Sequence, residues 1–393
     1  MIVGGIDGRY GYRVRRNSAD SPNPRILMVS HSGDFKGGAE VGFRDVMRGL
    51  RDKRPDLDLI AVFPSTGGMA ADATTRNVRS VIGRLPWWAY AKGRYSVVNA
   101  LSRLAPAVLQ AVVVLVRLRP TMVLTNTMVI PSYAIAAKLL GIPHFWMVRE
   151  FGRDDHGLSF LLGYRRTIRL IGRVSELVIC NSHAVEKAMQ AVDPAMKTSV
   201  LYPVIDVPPS APTRRLSGDP LRAVLIGAFA PSKGQHIAVE AVAVARKAGV
   251  DIELALVGGG EQEPLRLLAR RLGVEDLVNI HGPTDEVGRY WTAAHVGLMC
   301  SQCEAFGRVT VEAMNAGLPV CGTNAGGTPE IIIPGVNGLL SPAGDVNALA
   351  ENLLALASDE GLRMRLALGA VTTASRFQRG RFNNELADVL GLC

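Results

Sequence analysis

Short apolar runs alternate with longer segments of helical periodicity over most of the chain. The runs predicted as strands are residues 25–31, 57–63, 122–125, 144–148, 177–180, 221–226, 254–257, 278–281 and 296–300. Helical patterns lie between them, for example over residues 39–53 and 345–357. Strands that alternate with helices are typical of parallel sheets. The pattern therefore predicts an α/β fold in both halves of the chain.

A proline-rich stretch divides the chain into two predicted domains. Residues 202–220 contain five prolines together with several Ser, Thr and Arg residues, a composition typical of an interdomain linker. We assign residues 25–202 to a first domain, 203–220 to the linker and 221–375 to a second domain. Residues 376–393 are predicted to form a final helix. Residues 1–24 are polar and rich in Gly and Arg, and they are predicted to be disordered.

Positive charge is concentrated in the first half of the chain. The 393 residues include 48% hydrophobic and 20% charged residues, an ordinary globular composition with a net charge of +9. Residues 1–200 carry 28 Lys and Arg against 15 Asp and Glu, whereas residues 201–393 carry 16 against 20. This asymmetry indicates an anionic partner for the first half, either nucleic acid, an anionic membrane surface or a lipid-phosphate acceptor. No nucleic-acid-binding motif is recognised, so nucleic acid is not the expected partner.

Neither a membrane span nor a disulfide framework is expected. The most apolar run, residues 104–116, is interrupted by Pro106 and Gln110, falls short of the roughly 18–20 residues needed to cross a bilayer, and is predicted to be a packed helix. The N-terminus lacks the apolar core of a secretory signal. Cys300 and Cys303 form a single C-x-x-C without a second pair for zinc. These features predict a cytoplasmic protein without a metal site.

Residues 303–330, CEAFGRVTVEAMNAGLPVCGTNAGGTPE, carry the strongest indication of chemistry. Glu304 lies in a predicted loop and Glu312 about one turn inside the helix that follows. The backbone N–H groups at this helix start belong to Phe306, Gly307, Arg308 and Val309. Unpaired N–H groups at a helix start bind anions, and a carboxylate on each side can accept hydrogen bonds from hydroxyls. A nucleotide sugar has hydroxyls on both sides of a diphosphate; the alternative is a plain helix with one exposed Glu.

The spacing of the two glutamates resembles the motif of retaining glycosyltransferases of family 4, which have the GT-B fold. The match continues through Ala313, Gly317, Pro319, Gly326, Gly327 and Glu330. The resemblance implies two facing Rossmann-like domains with a deep interdomain cleft, and a final helix that crosses back to the first domain. It also implies that Glu304 lies by the donor sugar and that Glu312 holds the ribose. It extends over about residues 25–390 and is weakest over 64–120.

A second phosphate-binding element is predicted after residues 221–226. Relatives usually have Gly-Arg, a few residues, then Lys-Gly. Here Gly227 is followed by Ala228, while Lys233 and Gly234 match the pattern. A helix start contributes only about 0.3–1 kcal/mol to an exposed anion, so a diphosphate leaving group needs a full positive charge as well. Lys233 is predicted to supply this charge, and Arg308 to replace the missing arginine, without a metal or cofactor.

Two glycine-containing loops complete the predicted donor site. Gly37 and Gly38 follow the first strand and resemble the family's paired-glycine loop, which faces the donor phosphates across the cleft. Gly282 and Pro283 follow residues 278–281, and in relatives this loop lies beside the nucleotide base.

The first domain is predicted to supply the acceptor surface. Arg149 follows residues 144–148 and occupies the position at which many relatives have His; it is predicted to neutralise developing phosphate charge. Glu150 and His156 are predicted to contact the acceptor. Trp87 and Trp88 suit a sugar-stacking surface or a membrane interface, and they equally suit a packed helix.

A basic helix of the first domain has two interpretations. Arg165, Arg166, Arg169 and Arg173 recur at roughly helical spacing. They form either an interfacial helix on an anionic membrane or a solvated helix face. The first interpretation predicts a peripheral location at the inner face of the plasma membrane.

The combined prediction is a retaining glycosyltransferase. It would move a sugar from a UDP- or GDP-sugar to a hydroxyl of a saccharide or lipid-linked acceptor, in the synthesis of a cell-surface polysaccharide or glycolipid. Two alternatives remain open. One is a nucleotide-sugar epimerase of the same architecture, and the other is a non-catalytic nucleotide-sugar-binding module, which Ala228 and the absent His favour.

Overall fold

Two parallel β-sheets form the framework of the protein. The structure, a computed structural model, describes residues 24–35, 37–91, 97–206 and 219–392. The strands are β1 Arg25–Val29, β2 Asp58–Phe63, β3 Arg79–Ile82, β4 Ala89–Ala91, β5 Met122–Asn126, β6 His144–Val148, β7 Leu158–Phe160, β8 Leu177–Cys180, β9 Thr198–Val200, β10 Leu221–Ile226, β11 Ile252–Val257, β12 Val278–His281, β13 Val296–Met299, β14 Val320–Thr323 and β15 Gly338–Ser341. The helices are α1 Gly38–Lys53, α2 Gly68–Thr75, α3 Val97–Leu118, α4 Ser132–Leu140, α5 Tyr164–Val174, α6 His183–Val192, α7 Gln235–Lys247, α8 Glu263–Leu272, α9 Gly288–Ala293, α10 Arg308–Asn315, α11 Thr328–Ile331, α12 Val346–Ser358, α13 Glu360–Ala374 and α14 Arg379–Val389. The segment predicted to be disordered, residues 1–24, lies outside the described residues except for Pro24. Most of the predicted linker, residues 207–218, also lies outside them.

In each sheet, the side on which successive strands are added changes once along the chain. The first has the strand order β3-β2-β1-β5-β6-β8-β9, and the second has the order β12-β11-β10-β13-β14-β15. Neighbouring strands within both sheets are parallel. The reversals lie between β1 and β5 and between β10 and β13. Parallel sheets bind ligands at the carboxyl ends of their strands at such points.

Helices cover both faces of each sheet. The first sheet packs against α3, α4, α5 and α6 on one face, and against α1, α2 and α14 on the other. The second sheet packs against α7, α8 and α12 on one face and α9, α10 and α13 on the other. Strands buried on both faces give continuous apolar runs in the sequence. The predicted strands are accordingly confirmed to within two residues at each end.

The last helix, α14, returns to the first domain and packs on α1. Its side chains Phe382 and Leu386 are buried in one cluster with Phe43 and Leu50 of α1. The close approach occurs at Gly49, where an added Cβ would lie 3.1 Å from Leu386 Cδ2. The helices therefore join through apolar contact along their length.

A carboxylate of the second domain caps a helix of the first. Glu330 in α11 accepts hydrogen bonds from the backbone N–H groups of His183 (2.9 Å) and Ala184 (2.6 Å) at the start of α6. The Tyr202 hydroxyl donates to the same carboxylate at 2.8 Å. A negative charge at a helix N-terminus is favourable, so this contact holds the two domains together.

The apolar run at residues 104–116 forms a helix, as the sequence predicts, but only one of its faces is packed against the domain. It belongs to α3, whose outward face is exposed. Among the described residues, one helical segment, Asn99–Leu118, is long and apolar enough to cross a membrane by length and composition alone, and 17% of its most apolar window is buried. Core helices of soluble proteins pass the same test. The stretch at residues 85–90 is not helical. Its last two residues belong to β4, which pairs antiparallel with β7.

Candidate active site

Lys233 and Glu304 meet at the reversal point of the second sheet. Lys233 ends a short 3₁₀ turn after β10, and Glu304 lies in the loop after β13. Lys233 Nζ is 2.7 Å from Glu304 Oε2, and the Ser301 hydroxyl donates to the same oxygen at 3.1 Å. The lysine side chain remains 34% exposed and the glutamate 17%. The ammonium group is thus held in place and still open to a ligand.

Two glycines allow the backbone to approach this ion pair closely. Gly234 has φ +71°, and an added Cβ there would lie 2.1 Å from the carbonyl oxygen of Cys300. Gly326 has φ +58°, and an added Cβ would lie 2.3 Å from the carbonyl oxygen of Glu304. Only glycine adopts these conformations without a side-chain clash. The glycines at these positions of the motif therefore fix the loops that carry Lys233 and Glu304.

The start of α10 lies directly after the Glu304 loop. The helix begins at Arg308, and no side chain among the described residues caps it. Its first backbone N–H groups therefore lack helical partners. The ring of Phe306 is buried against Tyr202 and Phe377, with ring centroids 5.7 and 5.4 Å away, so Phe306 can bind a ligand only through its backbone. The predicted anion site, including Gly307 and Val309, keeps its backbone donors.

Glu312 is a half-buried carboxylate on α10. Within the part of the chain that the structure describes, its side chain has no hydrogen-bond partner. Burial raises its pKa, and the nearby charge of Arg308 acts in the opposite direction. An unpaired, partly desolvated carboxylate gains free energy from a hydroxyl donor. Such a carboxylate can accept hydrogen bonds from the hydroxyls of a ligand.

The first domain faces α10 through its glycine loop. An added Cβ on Gly38 would lie 3.5 Å from Cδ of Arg308. Ala305, beside Glu304, packs within the apolar core of the first domain. Gly37 precedes α1 in extended conformation. The candidate site therefore lies between the domains, with the start of α1 opposite the start of α10.

Arg308 pairs with a buried aspartate of the first domain. Its Nη1 lies 3.2 Å from Asp45 Oδ2, and Arg379 of α14 binds the other carboxylate oxygen at 3.0 Å. The Asp45 side chain is only 3% exposed. Arg308 can replace the arginine missing at Ala228 only if it exchanges Asp45 for a phosphate. Asp45 is not among the residues predicted from the sequence, although an aspartate between the apolar positions of α1 could have indicated it.

Arg149 is held beneath the same part of α1. Its Nε donates to Asn126 Oδ1 at 2.6 Å and its Nη2 to the carbonyl oxygen of Gly42 at 3.0 Å. Burial lowers its pKa to about 10, with repulsion from Arg308 acting the same way and attraction to Asp45 opposing both. Arg149 therefore stays charged at neutral pH and adds positive potential behind the site.

Glu150 is a structural carboxylate, contrary to the prediction that it contacts the acceptor. It is buried, and its two oxygens accept hydrogen bonds from the backbone N–H groups of Met128 (2.6 Å) and Arg149 (3.0 Å). Burial raises its pKa, while these hydrogen bonds lower it. Its side chain is therefore buried and bound to the backbone, away from an acceptor in the cleft.

The two predicted tryptophans have different environments. Trp88 is a core residue: its ring stacks on Trp146 at 5.9 Å, and its indole N–H donates to the carbonyl oxygen of Met128 at 2.6 Å. The prediction that it forms an exposed acceptor surface is therefore wrong. Trp87 is 47% exposed and can contact a ligand. His156 is also exposed, 3.8 Å from Asp155.

A His31–Glu40 pair near Trp87 is not among the site residues predicted from the sequence. His31 Nε2 lies 3.1 Å from Glu40 Oε1, and the His31 and Trp87 rings are 5.8 Å apart. Burial acts to raise the pKa of Glu40, but the hydrogen bond and charge of His31 lower it overall. His31 Nδ1 is buried without a partner among the described residues. A polar residue directly after a buried strand at the reversal point is the signal that could have revealed it.

The predicted base-side loop lies beside the other glycine loops of the second sheet. An added Cβ on Gly259 would lie 4.0 Å from Cβ of Pro283, and one on Gly258 would lie 1.9 Å from the carbonyl oxygen of Gly227. The loops after β10, β11 and β12, the last containing Gly282, are therefore neighbours at one edge of the sheet.

Two family models match consecutive parts of the chain. The model of Glycosyltransferase Family 4 matches residues 36–207, and that of Glycosyl transferases group 1 matches residues 211–370. The chain belongs to the family 4 glycosyltransferases. Its two parallel-sheet domains have the GT-B fold, as the resemblance implied.

Curated relatives of this family 4 chain match over part of their length. The D-inositol 3-phosphate glycosyltransferase of Streptomyces bingchenggensis is 34% identical over 44% of this chain and 41% of the relative. The amylovoran biosynthesis glycosyltransferase AmsK of Erwinia amylovora is 32% identical over 44% of each chain. The matched segment thus spans less than half the length of either relative.

A solved structure supports the fold over almost the whole chain. Anabaena HepE, crystallised in complex with UDP-glucose, is 24% identical and has a TM-score of 0.74, covering 94% of this chain and 100% of HepE. At this identity the similarity establishes the GT-B fold of the family 4 chain.

Proposed function

We propose that this family 4 protein transfers a sugar from a nucleoside diphosphate to an acceptor hydroxyl, with retention of the anomeric configuration. The observation that carries the proposal is the Lys233–Glu304 ion pair, which lies at the reversal point of the second sheet and beside the uncapped start of α10. A cation and free backbone donors together suit a diphosphate, and the carboxylate suits the hydroxyls of the attached sugar.

Lys233 and the start of α10 stabilise the leaving group in this mechanism. Negative charge grows on the diphosphate as the glycosidic bond breaks. An ammonium group and backbone N–H groups already fixed in position stabilise that charge without reorganisation. Glu304 holds Lys233 at 2.7 Å and accepts a hydrogen bond from the donor sugar. The acceptor hydroxyl attacks the anomeric carbon on the face from which the diphosphate leaves, so the configuration is retained. The bond between the anomeric carbon and the diphosphate oxygen breaks, and the acceptor proton passes to the departing diphosphate.

The first domain closes the site from the opposite side. Ala305 packs in the core of the first domain, and Gly38 lies against Arg308. This arrangement restricts the access of water, which would otherwise compete as an acceptor. Trp87 and His156 are exposed groups at this side that can contact the acceptor.

The donor and acceptor classes follow from chemistry and family. HepE binds UDP-glucose, which supports a UDP- or GDP-linked donor here. The relatives are an inositol phosphate glycosyltransferase and an amylovoran biosynthesis glycosyltransferase, which supports a polyol, saccharide or lipid-linked acceptor. We place the reaction at the cytoplasmic face of a membrane, in polysaccharide or glycolipid synthesis. Analysis of the product anomer by NMR tests retention, and products formed from the donor alone would instead indicate an epimerase.

Replacing Glu312 with glutamine should weaken donor binding. The carboxylate has no partner among the described residues, so it is free to accept hydrogen bonds from ribose. Losing a hydrogen bond to a charged group costs about 1.5–3 kcal/mol, or roughly 10–100-fold in Kd. Isothermal calorimetry with UDP- and GDP-sugars measures this loss. Glu351→Gln, an exposed glutamate on α12, serves as the control; equal affinities of both variants would contradict the ribose-binding role.

Donor affinity should depend on pH through Glu312. Burial raises the pKa of Glu312 above that of an ordinary glutamate. Its carboxylate therefore gains a proton at a higher pH than an exposed glutamate does. The ionised form accepts ribose hydroxyls, so Kd should rise as the pH falls through that raised pKa. Calorimetry over a series of falling pH values should show this rise in the wild type and a flatter profile in Glu312→Gln. Identical profiles would contradict the assignment.

A further inference from the structure

The outward face of α3 is apolar along the helix. Its large side chains there are between 47% and 68% exposed: Leu101, Leu109, Val113 and Val116. We call these four residues the α3 stripe. Their spacing places them on one side of the helix. Ala107 and Ala111 lie on the opposite side and are buried against the domain. Surface helices normally carry polar residues on their outward face, so the stripe requires a partner.

The helices beside the α3 stripe carry only positive charge. α3 contacts α4, and α4 contacts α5, on the same face of the first sheet. The three helices contain seven basic residues and no acidic residue. The exposed arginines of α5 are Arg165, Arg166, Arg169 and Arg173. Within the described ranges no carboxylate pairs with any of these four. The surface therefore combines an apolar stripe with unneutralised cations.

The α3 stripe extends toward the candidate site. α3 leads into β5, and a helix that connects parallel strands runs antiparallel to them. The first turns of α3, which contain Leu101, therefore lie toward the carboxyl edge of the sheet. His31 and the exposed Trp87 lie at that edge. A partner on the stripe would thus be next to the acceptor side of the cleft.

We propose that the α3 stripe and the arginines of α5 dock on an anionic lipid bilayer. Apolar side chains enter the interface between headgroups and acyl chains, while arginines bind the anionic headgroups. Nucleic acid would engage the arginines and leave the leucines and valines in water. A soluble acidic protein would not require so long an apolar stripe. Because Ala107 and Ala111 keep α3 packed on its domain, the helix lies on the membrane surface and does not cross it.

This docking rests on the proposed function in one respect: the membrane would supply the lipid-linked acceptor of the transfer. The docking itself is measurable without sugar transfer. A chain that binds vesicles but no nucleotide sugar would keep the docking surface and overturn the transferase proposal. A chain that binds a nucleotide sugar but no vesicles would overturn the docking surface alone.

Vesicle flotation with the full chain tests the docking surface. Vesicles of phosphatidylcholine with phosphatidylglycerol should bind the wild type, and vesicles of phosphatidylcholine alone should bind it much less. The variant Leu109→Gln/Val113→Gln should lose on the order of tenfold or more in partition coefficient. Arg165→Gln/Arg169→Gln should remove much of the dependence on salt. The control Leu267→Gln/Leu368→Gln changes equally exposed leucines of the second domain and should bind like the wild type.

Three outcomes would overturn the bilayer assignment. The first is equal vesicle binding by the wild type and the stripe variant when circular dichroism shows both to be folded. The second is a wild-type dimer in sedimentation velocity that Leu109→Gln/Val113→Gln converts to a monomer, because a second copy would then cover the stripe. The third is vesicle binding that starts only when residues 1–23 are removed, because that segment would then be the occupant.

Discussion

Replacing Lys233 with glutamine is expected to reduce turnover by about 10²–10³-fold. The ammonium group lies 2.7 Å from Glu304 and beside the uncapped start of α10. It is the full positive charge that the sequence retains in this loop, because Ala228 occupies the position of the usual arginine. Removing it leaves only backbone dipoles to stabilise the leaving diphosphate. Glutamine keeps a hydrogen-bond donor but is one atom shorter than lysine, so the loss reports mainly on the missing charge.

Release of the nucleoside diphosphate from the UDP- or GDP-sugar that the wild type hydrolyses measures this effect without knowledge of the acceptor, since water can serve as a slow acceptor. Lys247→Gln, an exposed lysine at the end of α7, should leave turnover unchanged. The fall should be mainly in kcat, because Lys233 acts on charge that develops in the transition state. Turnover within twofold of the wild type would exclude Lys233 as the leaving-group cation.

Replacing Asp45 with asparagine is expected to destabilise the protein by about 3 kcal/mol. Asp45 is buried, and its two oxygens bind Arg308 of the second domain and Arg379 of α14. Arg149 lies close enough for Asp45 to influence its pKa. The substitution leaves Arg308 without its anion and removes a nearby negative charge from Arg149, while Arg379 keeps its pair with Asp206. The penalty arises from these uncompensated charges more than from the lost hydrogen bonds.

Thermal denaturation followed by circular dichroism measures this penalty as a fall of several degrees in the unfolding midpoint. Asp251→Asn is the matched control, because Asp251 forms an exposed pair with Arg246, and such pairs contribute about 0–1 kcal/mol. If Asp45→Asn shifted the midpoint no more than Asp251→Asn, the buried network would have no net role in joining the domains.

The sequence predicts the sheets well, because their strands are buried on both faces. β6 and β10, for example, are apolar except for His144 and Arg222, as a helix-covered parallel sheet requires. α3 shows where this reasoning fails. A helix that is apolar on all sides gives the same pattern whether its outer face is packed or exposed. Only the positions of α4 and its neighbours determine which face of α3 is covered.

The residues of the candidate site also differ in how far the sequence predicts them. Lys233, Glu304 and Glu312 can be predicted because each lies in a short segment whose local pattern carries the chemistry. Asp45 cannot be placed in the same way, because its partners lie in α10 and α14, far along the chain. Trp88 is an example of a local pattern that misleads. Its aromatic and basic neighbours in the sequence suit a surface, yet its packing on Trp146 makes it part of the core.

The packing of α14 on α1 has a consequence for synthesis of the protein. One side of the first domain, around Phe43 and Leu50, is completed by Phe382 and Leu386. These side chains emerge only after the whole second domain has been translated. At about 5–20 residues per second, residues 207–378 take roughly 10–35 s to synthesise. During that interval the nascent first domain has an open apolar groove on α1, which makes it a natural client for chaperones that bind chains on the ribosome.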